Sequence, residues 1–302
     1  MGTSWSLRFD NPHMIALDKV NASVQSALDR VVSQMSTWES DSAISRFNRA
    51  EAGSRHALEP EFNEVLTCAL KWAAVSGGAL DPTIGALVAL WGFGAHAVKS
   101  LAVPSPASLA EAHAGAGWQH LAHDPGTHSL IQPGGISLDL SGVAKGFAVD
   151  HAAVGLKSLG LSDFLVEVGG ELHAAGRRPG GNPWQVMIEP SAGMSLPLML
   201  SDVSVATSGD RWHAHEHNGR RWSHTLDPRS GHPSNHALAS VTVLHRECMQ
   251  ADALATALTV LGPHEGLAFA RHHGIAALFV CRDSDRPTVL TSLDWPQPLI
   301  AA

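Results

Sequence analysis

Tyrosine is absent from the 302-residue chain, although nine tryptophans and eight phenylalanines are present. A site that needs a flat ring must therefore use Trp, Phe or His. Cysteine is scarce: Cys68, Cys248 and Cys281 lie far apart, which excludes a disulfide-dense scaffold and offers no closely spaced thiolate metal site. They read as buried or inert thiols. Charged side chains make up only 16% of the residues, with 20 Lys and Arg against 28 Asp and Glu. The formal net charge of -8 argues against a broadly basic surface for nucleic acid or anionic lipid. No run has the length and uniform apolarity of a membrane-spanning helix. The opening MGTSWSLRFD has neither a basic n-region nor an apolar h-region. The compartment stays open: cytoplasmic if Met1 is the native start, periplasmic or membrane-anchored if a leader precedes it.

An apolar fraction of 44% supplies a sizeable core, and 28 Gly with 17 Pro supply many turns. Apolar residues at Val24, Ala27, Leu28, Val31, Val32 and Met35 predict a helix from about Asn21 to Met35. A second helix is expected from Pro60 to Gly77 or Gly78, and a short buried one after the LDPT loop. A further helix follows Gly142, and another spans CMQADALATALTVLG, ending at Gly262. Strands are expected at SWSLRF, on both sides of Gly169 and Gly170, at WQVMIEP, LPLMLSDVSVATSG and ALASVTVLH, and in GIAALFVCR and TVLTSL. Several are adjacent without an intervening helix, which disfavours a regular βα barrel and points to a layered α+β fold. No GxGxxG follows a first strand, so a dinucleotide-binding fold is a poorer match.

Three clusters carry candidate chemistry. Asp252 and Thr256 are four residues apart on an otherwise apolar helix and share a face. Their carboxylate and hydroxyl oxygens suit a hard cation such as Mg²⁺. A capping Asp and a Thr bonded back to the preceding turn would have the same spacing. Asp139, Ser141 and Lys145 stand among close glycines in SLDLSGVAKGFAVD. Backbone amides there could cradle phosphate while Lys145 neutralises it, or the segment could be a tight strand-to-helix turn. The third segment, ATSGDRWHAHEHNGRRWSHTLDPRSGHP, holds His213, His215, His217, His224 and His232. The first three alternate, but the HNG turn and flanking charges favour a solvent loop over a zinc strand. His224, just before a turn at Asp227, Pro228 and Gly231, could take a proton from a hydroxyl or simply bridge loop groups. Carboxylate, hydroxyl, Lys, His and glycine-rich backbone together suit metal-assisted phosphoryl or nucleotidyl transfer better than thiol or hydride chemistry.

The segments MGTSWS, MSTWESDSAISRFN, LDPTIGALVALWGFG, GGISLDLSGVAKGFAVD, FLVEVGGEL, ATSGD, WSHTLDPRSGHP and ADALATALTVLG, in this order, closely resemble the ApbE family, the FAD:protein FMN transferases. The resemblance spans nearly the whole chain. It implies an α+β, T-fold-related core of mixed, largely antiparallel sheets with packed helices. It also implies a single domain over residues 1–302, with room for two closely packed subregions.

The implied activity is Mg²⁺-dependent transfer of FMN from FAD to a Ser or Thr hydroxyl of an acceptor protein, with release of AMP. The alternatives are hydrolysis of FAD to FMN and AMP, or flavin binding without catalysis. Acceptors in such systems include subunits of membrane redox complexes, so membrane contact would come only through the acceptor or a leader. No nucleic-acid partner is expected. By the same resemblance Ala144 (through its carbonyl), Asp252 and Thr256 hold the metal. Met1, Trp38, Ala79, Leu80, Asp81, Asp139, Ser141, Lys145, His224 and Leu226 face FAD. His224 activates the acceptor hydroxyl, and Lys145 assists catalysis by balancing phosphate charge. Trp38, Trp212 and Trp222 stand where the family often has Tyr, which keeps ring area and loses the phenolic hydroxyl.

Overall fold

The structure is a computed structural model that describes residues 3–97, 103–191, 194–209, 214–217, 220–282 and 287–296. The first half of the chain runs β1 (Trp5–Phe9), α1 (Leu17–Met35), α2 (Ala43–Asn48), β2 (Arg55–Ala57), α3 (Pro60–Val75), α4 (Gly85–Leu90), α5 (Pro106–Ala114), β3 (Ala122–Asp124), β4 (Ser129–Ile131) and α6 (Ala144–Ser158). There follow β5 (Phe164–Val168), β6 (Glu171–Ala175), β7 (Trp184–Ser191), β8 (Met194–Leu200), β9 (Val203–Gly209), β10 (Ala214–His217), β11 (Arg220–Ser223), β12 (Leu226–Asp227) and β13 (His232–Pro233). The last elements are β14 (Leu238–His245), α7 (Cys248–His272), β15 (Ala276–Cys281) and β16 (Thr288–Thr291). The expected α+β class with antiparallel sheets is what forms.

The elements fall into two compact units. The sheet unit comprises Gly2–Leu28, Lys145–Trp212 and His236–Ala302. Its seven-stranded sheet has the order β1-β5-β6-β9-β14-β15-β16, and every neighbouring pair is antiparallel. Alternation sorts the side chains onto two faces. One face presents Leu165, Leu172, Val205, Leu278 and Val280, buried under Trp184, Ile188, Leu198 and Leu200 of the β7–β8 hairpin. The other presents Val166 and Val168, with Ala206 and Ser208 further along, and α7 packs there against β9 and β14. Strand β14 is buried along most of its length because both faces are covered.

The helical unit comprises Asp29–Ala144 and His213–Asn235. The end of α1 is tied to the start of α3: Gln34 Oε1 accepts from Phe62 N at 3.0 Å, and Arg30 pairs with Glu61 at 2.8 Å. Pro60 opens α3, where a missing N–H costs nothing. Gly77 and Gly78 end it with left-handed φ of 63° and 83°, as the sequence leads one to expect. Leu87, Trp91 and Leu226 form a small core with α4 and α5 around it.

Three elements depart from the sequence reading. Helix α1 begins at Leu17, a turn before Asn21; Leu17 is 67% exposed, and the one apolar anchor of that first turn is Val20, buried four residues before Val24. Helical turns continue past Gly262, which breaks the regular geometry at φ 79°, and resume after Pro263. The histidine-rich segment expected as a loop contains the antiparallel β10–β11 hairpin, with His215 opposite Trp222.

Candidate active site

In the sheet unit, α6 and α7 meet at their N-terminal turns. Asp150 of α6 accepts from both Cys248 N and Met249 N at 2.8 Å, so a carboxylate on one helix caps the other. Gly146 makes the close approach possible. A Cβ there would overlap the Cys248 carbonyl oxygen and come within 2.8 Å of the Asp252 Cβ. One turn into α7, Asp252 is 1% exposed, and its Oδ2 accepts from Gly146 N at 2.9 Å. Its Oδ1 lies 3.5 Å from Lys145 Nζ. The same ammonium is 2.7 Å from Glu171 Oε1. Thr256 Oγ1, one turn further along α7, is 3.2 Å from Ser208 Oγ of β9.

The sheet explains why these groups converge. Glu171 and Ser208 lie on the face that α7 covers, opposite Val168 and Val241 in the register. Burial pushes the Glu171 carboxyl up to about 7, with Lys145 pulling it down and Asp252 adding to the rise. Burial works against the Lys145 charge, but Asp252 and Glu171 outweigh it and hold that ammonium above its ordinary pKa. The Lys145 side chain still keeps 32% of its surface. Ala144 is the first residue of α6, anchored by its N–H to Leu140 O at 2.8 Å.

In the helical unit, Asp81 is buried and its acceptors are engaged. Oδ1 takes the Thr83 N–H at 2.8 Å and the Thr83 hydroxyl at 2.6 Å, and Oδ2 takes Trp118 N at 3.1 Å. The LDPT loop is thereby closed on itself and on the segment before β3. Ala79 and Leu80 are buried beside it. Asp139 Oδ1 accepts from Ser141 N at 2.8 Å, a local turn that leaves Ser141 exposed. An open cleft with about 260 Å³ of empty space is lined by Thr37, Asn48, Val88, Phe93, Ser137 and Asp139, among others. Trp38, next to Thr37 in the chain, is 66% exposed. His224 stands edge-on to Phe93, with ring centroids 6.3 Å apart. The turn after it is fixed by Asp227, whose carboxylate holds Arg229 Nε and Nη2 at 2.9 Å each. Leu226 is buried.

The sequence-predicted residues thus divide. Lys145 and Asp252 are in contact, Thr256 lies one turn along the same helix, and Ala144 begins the helix that meets it. Trp38, Ala79, Leu80, Asp81, Asp139, Ser141, His224 and Leu226 lie in the helical unit. Met1 lies outside the described residues, as does His213. Glu171, Ser208 and Asp150 were not singled out as site residues. Glu171 and Ser208 fall in the segments FLVEVGGEL and ATSGD, and strand alternation supplied the one signal of their shared face. Cys68, Cys248 and Cys281 are buried thiols, and burial pushes Cys248 well above the usual range. Among the described residues no group of three His, Cys, Asp or Glu side chains converges as a metal cluster. No described helix is long and apolar enough to cross a membrane.

The fold belongs to a known class. The ApbE family model matches residues 1–279, and the chain belongs to the ApbE family. It is an enzyme of that family. It is 37% identical over 290 residues to the FAD:protein FMN transferase of Vibrio cholerae, covering 94% of this chain and 86% of that protein. Its identity to the FAD:protein FMN transferase of Haemophilus influenzae is 35%, covering 93% and 84%. The crystal structure of the apo form of Pseudomonas stutzeri flavinyl transferase ApbE superposes with a TM-score of 0.90 at 38% identity, covering 97% of this chain and 92% of that one.

Proposed function

We propose that this protein transfers the FMN part of FAD to a Ser or Thr hydroxyl of an acceptor protein, in a Mg²⁺-dependent reaction that releases AMP. The observation that carries the reading is the pairing of Asp252 and Thr256 on α7 with Lys145 beside them. Asp252 and Thr256 offer one carboxylate and one hydroxyl, and with the Ala144 carbonyl that the family resemblance implies they would make a hard-oxygen donor set without sulfur or imidazole, which fits Mg²⁺. Mg²⁺, when bound, would supply Lewis acidity to the pyrophosphate.

Asp252 is preorganised for this role, since Gly146 N–H fixes one oxygen and burial denies it water. Lys145 balances phosphate charge. His224 takes the proton of the acceptor hydroxyl as its oxygen bonds to the FMN phosphorus, and the bond from that phosphorus to the AMP phosphate oxygen breaks. Exposed Trp38 offers a ring for stacking on the flavin or adenine. The open helical-unit cleft suits one portion of FAD, with Phe93 and Val88 on its wall for an apolar ring. Asp139 on its wall and the Ala79–Asp81 backbone would line the rest of the dinucleotide site. A membrane redox-complex subunit is the first acceptor to test.

Incubation of the protein with FAD, Mg²⁺ and a candidate acceptor should add the mass of FMN less one water to the acceptor and yield equimolar AMP. AMP without acceptor labelling would show a hydrolase, and retained FAD with neither product a binding protein. Asp252→Ala should abolish metal-dependent AMP release, while Thr256→Ala is milder because water can replace a neutral ligand. Unchanged turnover in Asp252→Ala would remove the metal assignment.

A further inference from the structure

We propose that Glu171 is a positioning residue: it holds the Lys145 ammonium off Asp252 and so keeps that carboxylate open to a divalent cation. The inference rests on the reading of Asp252 as a metal ligand. Lys145 Nζ is 2.7 Å from Glu171 Oε1 but 3.5 Å from Asp252 Oδ1, so the shorter pair is with Glu171. An ammonium and a metal ion compete for the same carboxylate lone pairs, and the competitor here already has another partner.

The Glu171 carboxylate is fixed by the fold. It is the first residue of β6, directly after a turn in which Gly169 and Gly170 have φ of 64° and 104°. Thr3 leaves no room for a Cβ at Gly169. The Glu171 side chain is only 4% exposed. Its Oε2 is buried without a hydrogen-bond partner among the described residues, an arrangement that carries a desolvation cost. A carboxylate placed there for stability alone would be better satisfied. Two carboxyl groups share the one ammonium, so the cluster keeps acceptor oxygens over for a cation.

The test is a double-mutant cycle read by Mn²⁺ binding without FAD, followed through the electron paramagnetic resonance signal of free Mn²⁺. Glu171→Gln, which keeps the shape, should weaken Mn²⁺ binding about tenfold, because Lys145 then turns to Asp252. In a Lys145→Met background the same substitution should change affinity by less than about threefold. Should the Gln variant fail to fold, Glu171→Asp runs the same cycle: its shorter reach loosens Lys145 and gives a smaller loss that again vanishes with Lys145→Met. An equal loss in both backgrounds would mean that Glu171 acts on the cation directly and would overturn the inference. So would an unchanged affinity in Glu171→Gln. Mn²⁺ binding that survives Asp252→Ala would instead overturn the underlying metal assignment.

Discussion

Among the single residues, His224 is the one whose removal should separate binding from transfer. Its ring meets Phe93 edge-on, and the turn that follows is held independently by Asp227 and Gly231. A neutral hydroxyl is a poor nucleophile, so loss of the base should act on the chemical step. His224→Ala is expected to keep its melting temperature and FAD affinity while single-turnover FMN transfer falls by roughly 10²-fold or more. A parallel loss of stability would mark a structural histidine, and near-normal transfer would remove His224 from the mechanism. Asp252 and Thr256 were legible in the sequence because helical spacing alone puts them on one face. Glu171 and Ser208 were not, since their partners lie 26 residues before and 48 residues after them. Strand alternation says that a side chain faces inward, and only the packed helix says what it meets.

The element that builds the site is the crossing of α6 on α7. Its contact residue is a glycine because the helix backbones come closer than a methyl group allows. Gly146→Ala would push α6 away from the Cys248 carbonyl and lengthen the Gly146 N to Asp252 bond. The expected cost is about 1–3 kcal/mol of stability, seen as a lower urea midpoint, with weakened metal binding alongside. A midpoint and metal affinity equal to wild type would show that the helices slide apart freely and that Asp252 is not positioned by this contact. The pair of glycines bracketing the start of α6 was visible as a sequence feature, but the identity of the opposing helix was not. Asp150 caps the first N–H groups of α7 from 98 residues away. Long-range caps of this kind leave no local spacing to read. The same holds for the second half of α7, where Gly262 and Pro263 looked like a stop although the helix resumes beyond them.

Across the whole molecule, the response of stability to acid should be governed by two buried groups of opposite sign. His173 of β6 is 7% exposed, with Nδ1 2.9 Å from Ser204 Oγ. Burial lowers its pKa to about 4, with Lys157 adding to the effect and Asp202 opposing it. The unfolded chain binds this proton near the ordinary value of about 6.5, while the folded chain resists it. Its stabilising contribution is therefore full above pH 6.5 and is lost as pH falls towards 4, by up to about 3 kcal/mol. Glu171, raised to about 7, has the opposite slope: its share is full below the ordinary carboxyl range and is lost as pH rises through 7. The two windows overlap, so the wild-type curve alone would understate both. His173→Gln keeps a hydrogen-bonding side chain and removes only one titration. Urea unfolding of both proteins from pH 7.5 to 4, without metal, should give a stability difference that shifts in the variant's favour as pH falls. Glu171 cancels in that difference because both proteins contain it. A difference that stays constant across the range would mean that His173 is hydrated and titrates normally, and that this face of the sheet is less sealed by the helices than its burial indicates.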